Sequence, residues 1–284
     1  MVSSLIQERI FADIPPAVPT IGYFSDEVIL KEYNRLVDKD YKGLTVLKPF
    51  SLDTKKQEII GSNIPAKALL FQRFLKSEGY ELSGLQELED ARAIHAKNPS
   101  CGLTTEGYCY VDFGVVVRKE TERTVDLVEQ LRKRNPKLAR LKVPVAFDLN
   151  GLEIKIDGQF DGLRYVLTDE ARIYAAPEYA GSNKSFSTVK NGRPVIQKSG
   201  AHIVYNNGAD VSRFYLDSNL SVYARNGSLA NSGGHGQVVL HRGAAANAKI
   251  LKEYTAKLNA QVTQAKSELD NRYARALKVL RGEQ

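Results

Sequence analysis

The sequence predicts an α+β fold: a helical N-terminal region, an internally duplicated antiparallel β module closing as a sandwich or barrel, and a long C-terminal α-helix. Three observations predict it. The first hundred residues carry helix caps and apolar positions three and four apart. From Val143 onward, turn dipeptides recur at close spacing, and residues 151–175 match residues 200–224 at a constant offset of 49. Residues 244–281 contain neither Gly nor Pro.

Residues 1–142 read as a mainly helical region with one strong strand. Ser25 caps a helix running to about Lys39, with Val28, Ile29, Leu36 and Val37 on one face. Pro65 suits the first turn of a second helix that ends at Gly79, with Ala68, Leu69, Phe71 and Leu75 as its apolar side. Ser83 and Gln86 form a capping-box pair opening a third, which turns Leu85, Leu88 and Ala91 to Ile94 inward. Leu44 to Leu47 is a candidate short strand. The alternating, then apolar run 108–118, YCYVDFGVVVR, is the strongest strand signal in the chain. A helix follows from about Glu120 to Asn135, and Pro136 stops it. With the strand Pro144–Leu149 this makes either a right-handed crossover or a helix linking two domains.

Residues 143–243 read as a β-hairpin domain with repeat units at about 143–191 and 192–241. Asn150-Gly151, Asp157-Gly158, Asn191-Gly192, Asn207-Gly208 and Asn226-Gly227 supply the positive φ that tight hairpin turns need. In the offset match, Gly151, Ile154, Asp161, Arg164, Leu167, Tyr174 and Ala175 recur as Gly200, Ile203, Asp210, Arg213, Leu216, Tyr223 and Ala224. Strands fall at about 144–149, 152–157, 163–168 and 171–176, then at 194–198, 201–206, 212–217 and 220–225. One more follows at Gln237–His241. A four-stranded unit cannot cover its own apolar face, so the two are expected to pack on each other.

Residues 244–284 read as one amphipathic helix. Leu251, Tyr254, Leu258, Val262, Ala265, Leu269, Tyr273, Ala276 and Leu280 follow spacings of three and four in an eleven-residue pattern, close to that of a straight helix. This stripe is expected to meet a second copy of the chain or another protein.

Bulk composition narrows the function classes. With 43% hydrophobic and 26% charged residues, the chain has the balance of a globular protein. No stretch approaches the roughly 20 apolar residues of a membrane span. The N-terminus lacks the basic and apolar regions of a secretory signal. Cys101 and Cys109 are too few for a disulfide framework and are read as reduced thiols of a cytoplasmic protein. Of the net charge of +7, residues 244–284 carry +4, from 8 basic and 4 acidic side chains.

Several residue sets invite a chemical reading. Asp148, Glu153 and Lys155 fall on two strands of one predicted hairpin. Glu153-Ile154-Lys155 has the E-x-K form of metal-dependent nucleases, where carboxylates hold a cation that activates water. The same residues also fit a solvated hairpin face. Asp157, Asp161, Asn206 and Asp210 flank turns, but two oxygens per turn fall short of the roughly six to eight that calcium takes. His202, His235 and His241 have no zinc-like spacing, and the loop Ser232–Gly236 lacks a phosphate-loop ending. No metal site and no cofactor are expected. Arg132, Lys133, Arg134, Lys137, Arg140 and Lys142 occur without an acid among them and suit phosphate neutralisation, although no aromatic residue is interleaved for base stacking.

Two functions from different classes follow. One is a non-enzymatic binding or assembly protein, in which the duplicated β region presents a surface, the C-terminal helix docks a protein partner, and nucleic acid is the anionic partner of the basic stretch. The alternative is a metal-dependent hydrolase acting on nucleic acid around Asp148, Glu153 and Lys155. The lack of a complete catalytic set favours the first.

Overall fold

The computed structural model describes residues 20–24, 26–47, 50–53, 58–61, 63–97, 110–160, 162–217, 220–229, 236–242 and 267. The expected C-terminal helix with its stripe from Leu251 to Leu280, both cysteines, Asp161 and His235 lie outside these residues.

The chain begins with β1 (Thr20–Tyr23) and α1 (Glu27–Asp40). Asp26, not Ser25, caps α1: its carboxylate accepts from the N–H groups of Val28 at 2.9 Å and Ile29 at 3.0 Å. Leu30, Tyr33 and Val37 form the buried face. Val28, expected on it, is exposed, because two residues from Leu30 is the far side of a 3.6-residue turn. Residues 44–47 form turns instead of a strand, and β2 (Ser51–Asp53) and β3 (Glu58–Ile60) pair after them.

Helix α2 (Ile64–Leu70) is buried throughout, including Lys67. It runs on through a wider π turn, Phe71–Leu75, to Gly79, whose φ of 74° ends it. Next come β4 (Tyr80–Leu82) and α3 (Leu85–Lys97). The cap of α3 is shifted by one residue from the expected pair, with Glu87 accepting from the Gly84 N–H at 2.9 Å. β5 (Val111–Val117) is buried along its whole length, which accounts for its nearly unbroken apolar run. After α4 (Val125–Arg134), β6 (Val145–Asp148) lies antiparallel beside β5, so the expected crossover does not form.

The remaining strands are β7 (Leu152–Phe160), β8 (Leu163–Leu167), β9 (Ile173–Ala175), β10 (Lys184–Lys190), β11 (Arg193–Gln197), β12 (His202–Tyr205), β13 (Val211–Leu216), β14 (Val222–Asn226) and β15 (Val239–Arg242). Eight strands make one large curled mixed sheet in the order β11-β10-β12-β14-β13-β5-β6-β9. β12 and β14 run parallel and the other neighbours antiparallel. β1, β15 and β4 form a three-stranded sheet, and β7 and β8 a hairpin that packs on α2 and α4. The fold is α+β. β5, placed by its sequence in the helical region, sits inside the large sheet between β13 and β6, so the sheet runs across the expected boundary at 142/143.

The large sheet is covered on both faces. On one, Val115, Val117, Val145 and Phe147 meet α1, α2, α4 and the β7–β8 hairpin. On the other, Val111, Phe113, Val116, Phe186, Phe214 and Val222 meet Leu85, Leu88 and Ala91 of α3.

The two matched segments place strands at matching positions, but their pairing differs. β7 and β8 form a hairpin, whereas β12 pairs with β10 and β14 and not with β13. Ile154 is buried and Ile203 only partly so. Ile173 of β9 packs toward the α1–α2 core, but its counterpart Val222 of β14 joins the opposite core. Equivalent hairpins, expected from the offset match, are therefore not formed: the second segment is drawn into the central sheet, and its faces are reversed.

Candidate functional site

A cleft of about 1030 Å³ lies between the end of the large sheet and the β4–α3 segment. Its apolar lining comes from Leu82, Leu85, Phe113, Leu149 and Phe214. Gly114 makes this floor possible. A Cβ on it would fall 2.2 Å from the Phe147 carbonyl oxygen and 2.7 Å from the Phe214 ring.

Local hydrogen bonds fix the walls. The Asn150 side chain pairs with the Leu82 backbone, donating at 2.9 Å and accepting at 2.8 Å, and so ties the β6–β7 connection to β4. The Gly192 N–H donates to Gln86 at 3.3 Å, joining the β10–β11 turn to α3. Arg193 makes a two-pronged ion pair with the buried Glu178, at 2.7 and 2.5 Å, and lies over the Tyr174 ring. Lys76 and Glu170 pair at 2.9 Å.

Against this network, Asp148 and Arg172 stand out. Neither makes a hydrogen bond or a close ion pair with a described residue, yet both line the cleft. Burial pushes the Asp148 carboxyl up to about 6, the Arg172 guanidinium pulling it down and Glu87 pushing it up. The Tyr174 hydroxyl is pushed up chiefly by burial, then by the charges of Asp148 and Glu178. At the rim, Glu81 lies 3.4 Å from His241 Nε2, whose Nδ1 is 3.4 Å from the Ser83 hydroxyl. The hydrogen bond from His241 and the field of Arg172 hold the Glu81 carboxyl below its usual range.

Of the described residues given a chemical reading from sequence, Asp148 and His241 line this cleft. Glu153 lines an adjoining, more open pocket with Arg134 and Val166, which shares Lys76 and Glu170 with the cleft, and the exposed Lys155 lines neither. The structure thus splits the Asp148, Glu153, Lys155 set. β7 leaves the sheet that holds Asp148, and the strands expected to be neighbours are not. No group of three or more metal-ligating side chains occurs among the described residues. Asp210 accepts from Thr121 at 2.5 Å, and Asn206 donates to the Glu178 carbonyl at 2.8 Å, so these turn residues serve the fold. His202 packs on Phe186.

The basic stretch divides in two. Arg132 pairs with Glu120, and Arg134 donates to the Leu167 and Thr168 carbonyls and to Asp169. Lys133, Lys137, Arg140 and Lys142 are exposed and pair with no described residue.

Sequence reasoning also missed a row of aromatic and cationic side chains across β5, β13, β14 and β12. Tyr110 and Tyr215 rings lie 4.5 Å apart, Tyr215 and Tyr223 are stacked at 5.2 Å, and Tyr223 and Tyr205 at 4.4 Å. Arg213 and Arg225 lie over these rings. Because the rings stack on one another, their faces are already occupied. The row braces four strands and does not offer the open ring faces on which bases stack.

No family model, curated protein or solved structure matches this chain. Among the described residues no helix is long and apolar enough to cross a membrane.

Proposed function

We propose that this is a binding protein whose cleft takes a neutral, hydroxyl-rich ligand with an apolar face, a saccharide. One observation carries the reading: the partly buried Asp148 lines a cleft with an apolar floor while its carboxylate holds no hydrogen-bond partner among the described residues, and the exposed Arg172 stands at the same cleft. Polar groups left unpaired in such a place are costly unless a ligand or water satisfies them. Charge balance selects the ligand. Glu81, Glu87, Asp148 and Glu170 face Lys76, Arg172, Arg193 and His241, so the cleft has no excess of cations for a phosphate chain. The carboxylate and guanidinium suit the hydroxyl pairs of a sugar ring.

Calorimetric titration of the whole chain with gluco-, galacto-, manno-, xylo- and N-acetylglucosamine oligosaccharides tests this. Saturable binding by at least one, lost in Arg172→Ala and Asp148→Ala, is expected. Binding by none of them overturns it.

Assembly is a separate proposal, resting on the apolar stripe of residues 251–280 predicted from sequence. Docking of that stripe on a second copy makes Leu258→Asp with Leu269→Asp lower the mass seen by light scattering. A wild-type chain that is monomeric at micromolar concentration overturns it.

A further inference from the structure

We propose that the cleft and the pocket beside it form one continuous groove, and that its ligand is an extended oligosaccharide of neutral units, held in the second pocket by Arg73 and Glu153. The inference rests on the saccharide reading and adds to it the length of the ligand and a second set of binding residues.

The two hollows meet at one ion pair. Lys76, in the turn ahead of Gly79, and Glu170, in the β8–β9 connection, line both the cleft of about 1030 Å³ and the adjoining pocket of about 470 Å³. Lys76 Nζ donates to both Glu170 carboxylate oxygens at 2.9 Å. Their side chains are 44% and 61% exposed. A pair so open to solvent contributes little free energy, so sugar hydroxyls can replace it where the ligand passes.

The walls are continuous as well. Gln72 lines the second pocket and donates to the backbone carbonyl of Asn150, which lines the cleft, at 3.4 Å. On the opposite side the β7–β8 hairpin sets Glu153 across from Val166, and both line the second pocket. Arg134 donates to the Leu167 and Thr168 carbonyls and so fixes the end of that hairpin. The second pocket is thus built from ordered elements and joined to the cleft by contacts on one wall and a shared ion pair.

The chemistry of the cleft recurs in the second pocket. Asp148 and Arg172 bring one carboxylate and one guanidinium to the cleft, and Glu153 and Arg73 bring the same two groups to the pocket. Like the first two, Glu153 and Arg73 make no side-chain hydrogen bond or ion pair with a described residue. The charges of the second pocket balance, with Arg73, Lys76 and Arg134 against Glu153, Asp169 and Glu170, so an anionic chain gains nothing there. Two matching sets on either side of one junction suit a ligand that presents the same hydroxyl groups repeatedly along its length. A single sugar reaches one set only, whereas an oligosaccharide reaches both, and each charged group that finds a hydroxyl adds a strong hydrogen bond.

The test is calorimetric titration of the full chain with one oligosaccharide series, gluco-, galacto-, manno-, xylo- or N-acetylglucosamine, at chain lengths of two to six units. Kd should fall by about tenfold or more from the disaccharide to the hexasaccharide, the size expected for added hydrogen bonds to charged groups. Arg73→Ala and Glu153→Gln should each weaken the hexasaccharide by about tenfold and leave the disaccharide within about twofold. The unchanged disaccharide affinity serves as the control for folding. Asp148→Ala should weaken both lengths. A hexasaccharide bound no more tightly than the disaccharide overturns the continuous groove and leaves the saccharide reading standing. Arg73→Ala and Glu153→Gln variants that weaken both lengths equally, or neither, overturn the second set of residues and with it the proposal. Binding of no saccharide at any length overturns both the groove and the reading on which it rests.

Discussion

Arg213 on β13 places Nη1 3.6 Å from the Asp112 carboxylate on β5, with both side chains inside the protein. Burial pushes the Asp112 carboxyl up against the pull of Lys67, and burial lowers the Arg213 guanidinium. The pair crosses the ladder between the two strands at the centre of the large sheet. A buried ion pair adds little over an apolar pair of equal volume, but removing one partner strands the other charge. Arg213→Ala should therefore cost about 3–5 kcal/mol in urea unfolding at pH 7. A loss under about 1 kcal/mol would show that solvent reaches Asp112.

Gly114 pairs with Asp148 across β5 and β6, and its missing Cβ admits both the Phe147 carbonyl and the Phe214 ring. The carbonyl belongs to the neighbouring strand and cannot swing aside. Gly114→Ala should cost about 1–3 kcal/mol, as overpacking does, and should also weaken any ligand of the cleft by displacing its floor. Unchanged thermal stability in that variant would mean that β5 and β6 separate more readily than their burial implies.

Much of the local structure is readable from the chain. Asn191-Gly192 announces the turn joining β10 and β11, and both residues do adopt positive φ, 52° and 74°. Pro65, Ala68, Leu69, Phe71 and Leu75 mark a buried helix, and they are buried. β10 escapes the sequence reading because Lys184–Lys190 alternates weakly and only Phe186 is buried. Strand order is not readable, because pairing depends on non-local contacts that a periodicity of two does not encode. The insertion of β5 beside β13, which reverses the faces of the second matched segment, has no local signature. The cleft is hidden for the same reason. Asp148 stands out in the sequence for a partner, Glu153, that points elsewhere, while Glu81, Arg172 and Tyr174 come from segments far apart in sequence.

The basic stretch separates cations that serve the fold from cations that face outward. Arg134 donates to the Leu167 carbonyl at 2.5 Å and to Asp169 at 3.2 Å, latching the end of α4 to the end of β8. Arg134→Ala should cost about 1.5–3 kcal/mol, the range for hydrogen bonds to a charged group. Lys133→Ala should stay within about 0.5 kcal/mol of wild type. If a nucleic acid is bound here, as the sequence expectation has it, replacing Lys133, Lys137, Arg140 and Lys142 by Ala should flatten the salt dependence of single-stranded DNA binding. The slope should fall by about 0.7 for each phosphate that is no longer neutralised. An unchanged slope would assign DNA binding to another surface.

Asp148 should leave a signature in the pH dependence of stability. Its carboxyl is raised in the folded chain to about 6 from an ordinary value of 3.8. The folded state thus binds its proton more tightly than the unfolded state does. The resulting stabilisation is fully present below about pH 4 and is lost as pH rises through about 6, because ionising the carboxyl in its half-buried site is what costs free energy. About 1.4 kcal/mol accompanies each pH unit of difference, so the loss amounts to roughly 3 kcal/mol between pH 4 and pH 7. Asp148→Asn has no such titration. Its stability relative to wild type should accordingly rise with pH, by up to about that amount, in urea unfolding measured at half-unit intervals from pH 4 to pH 7.5. Two parallel stability curves would mean that the Asp148 carboxyl is solvated in the folded protein, and the opposite slope would mean that Arg172 closes onto it as a salt-bridge partner.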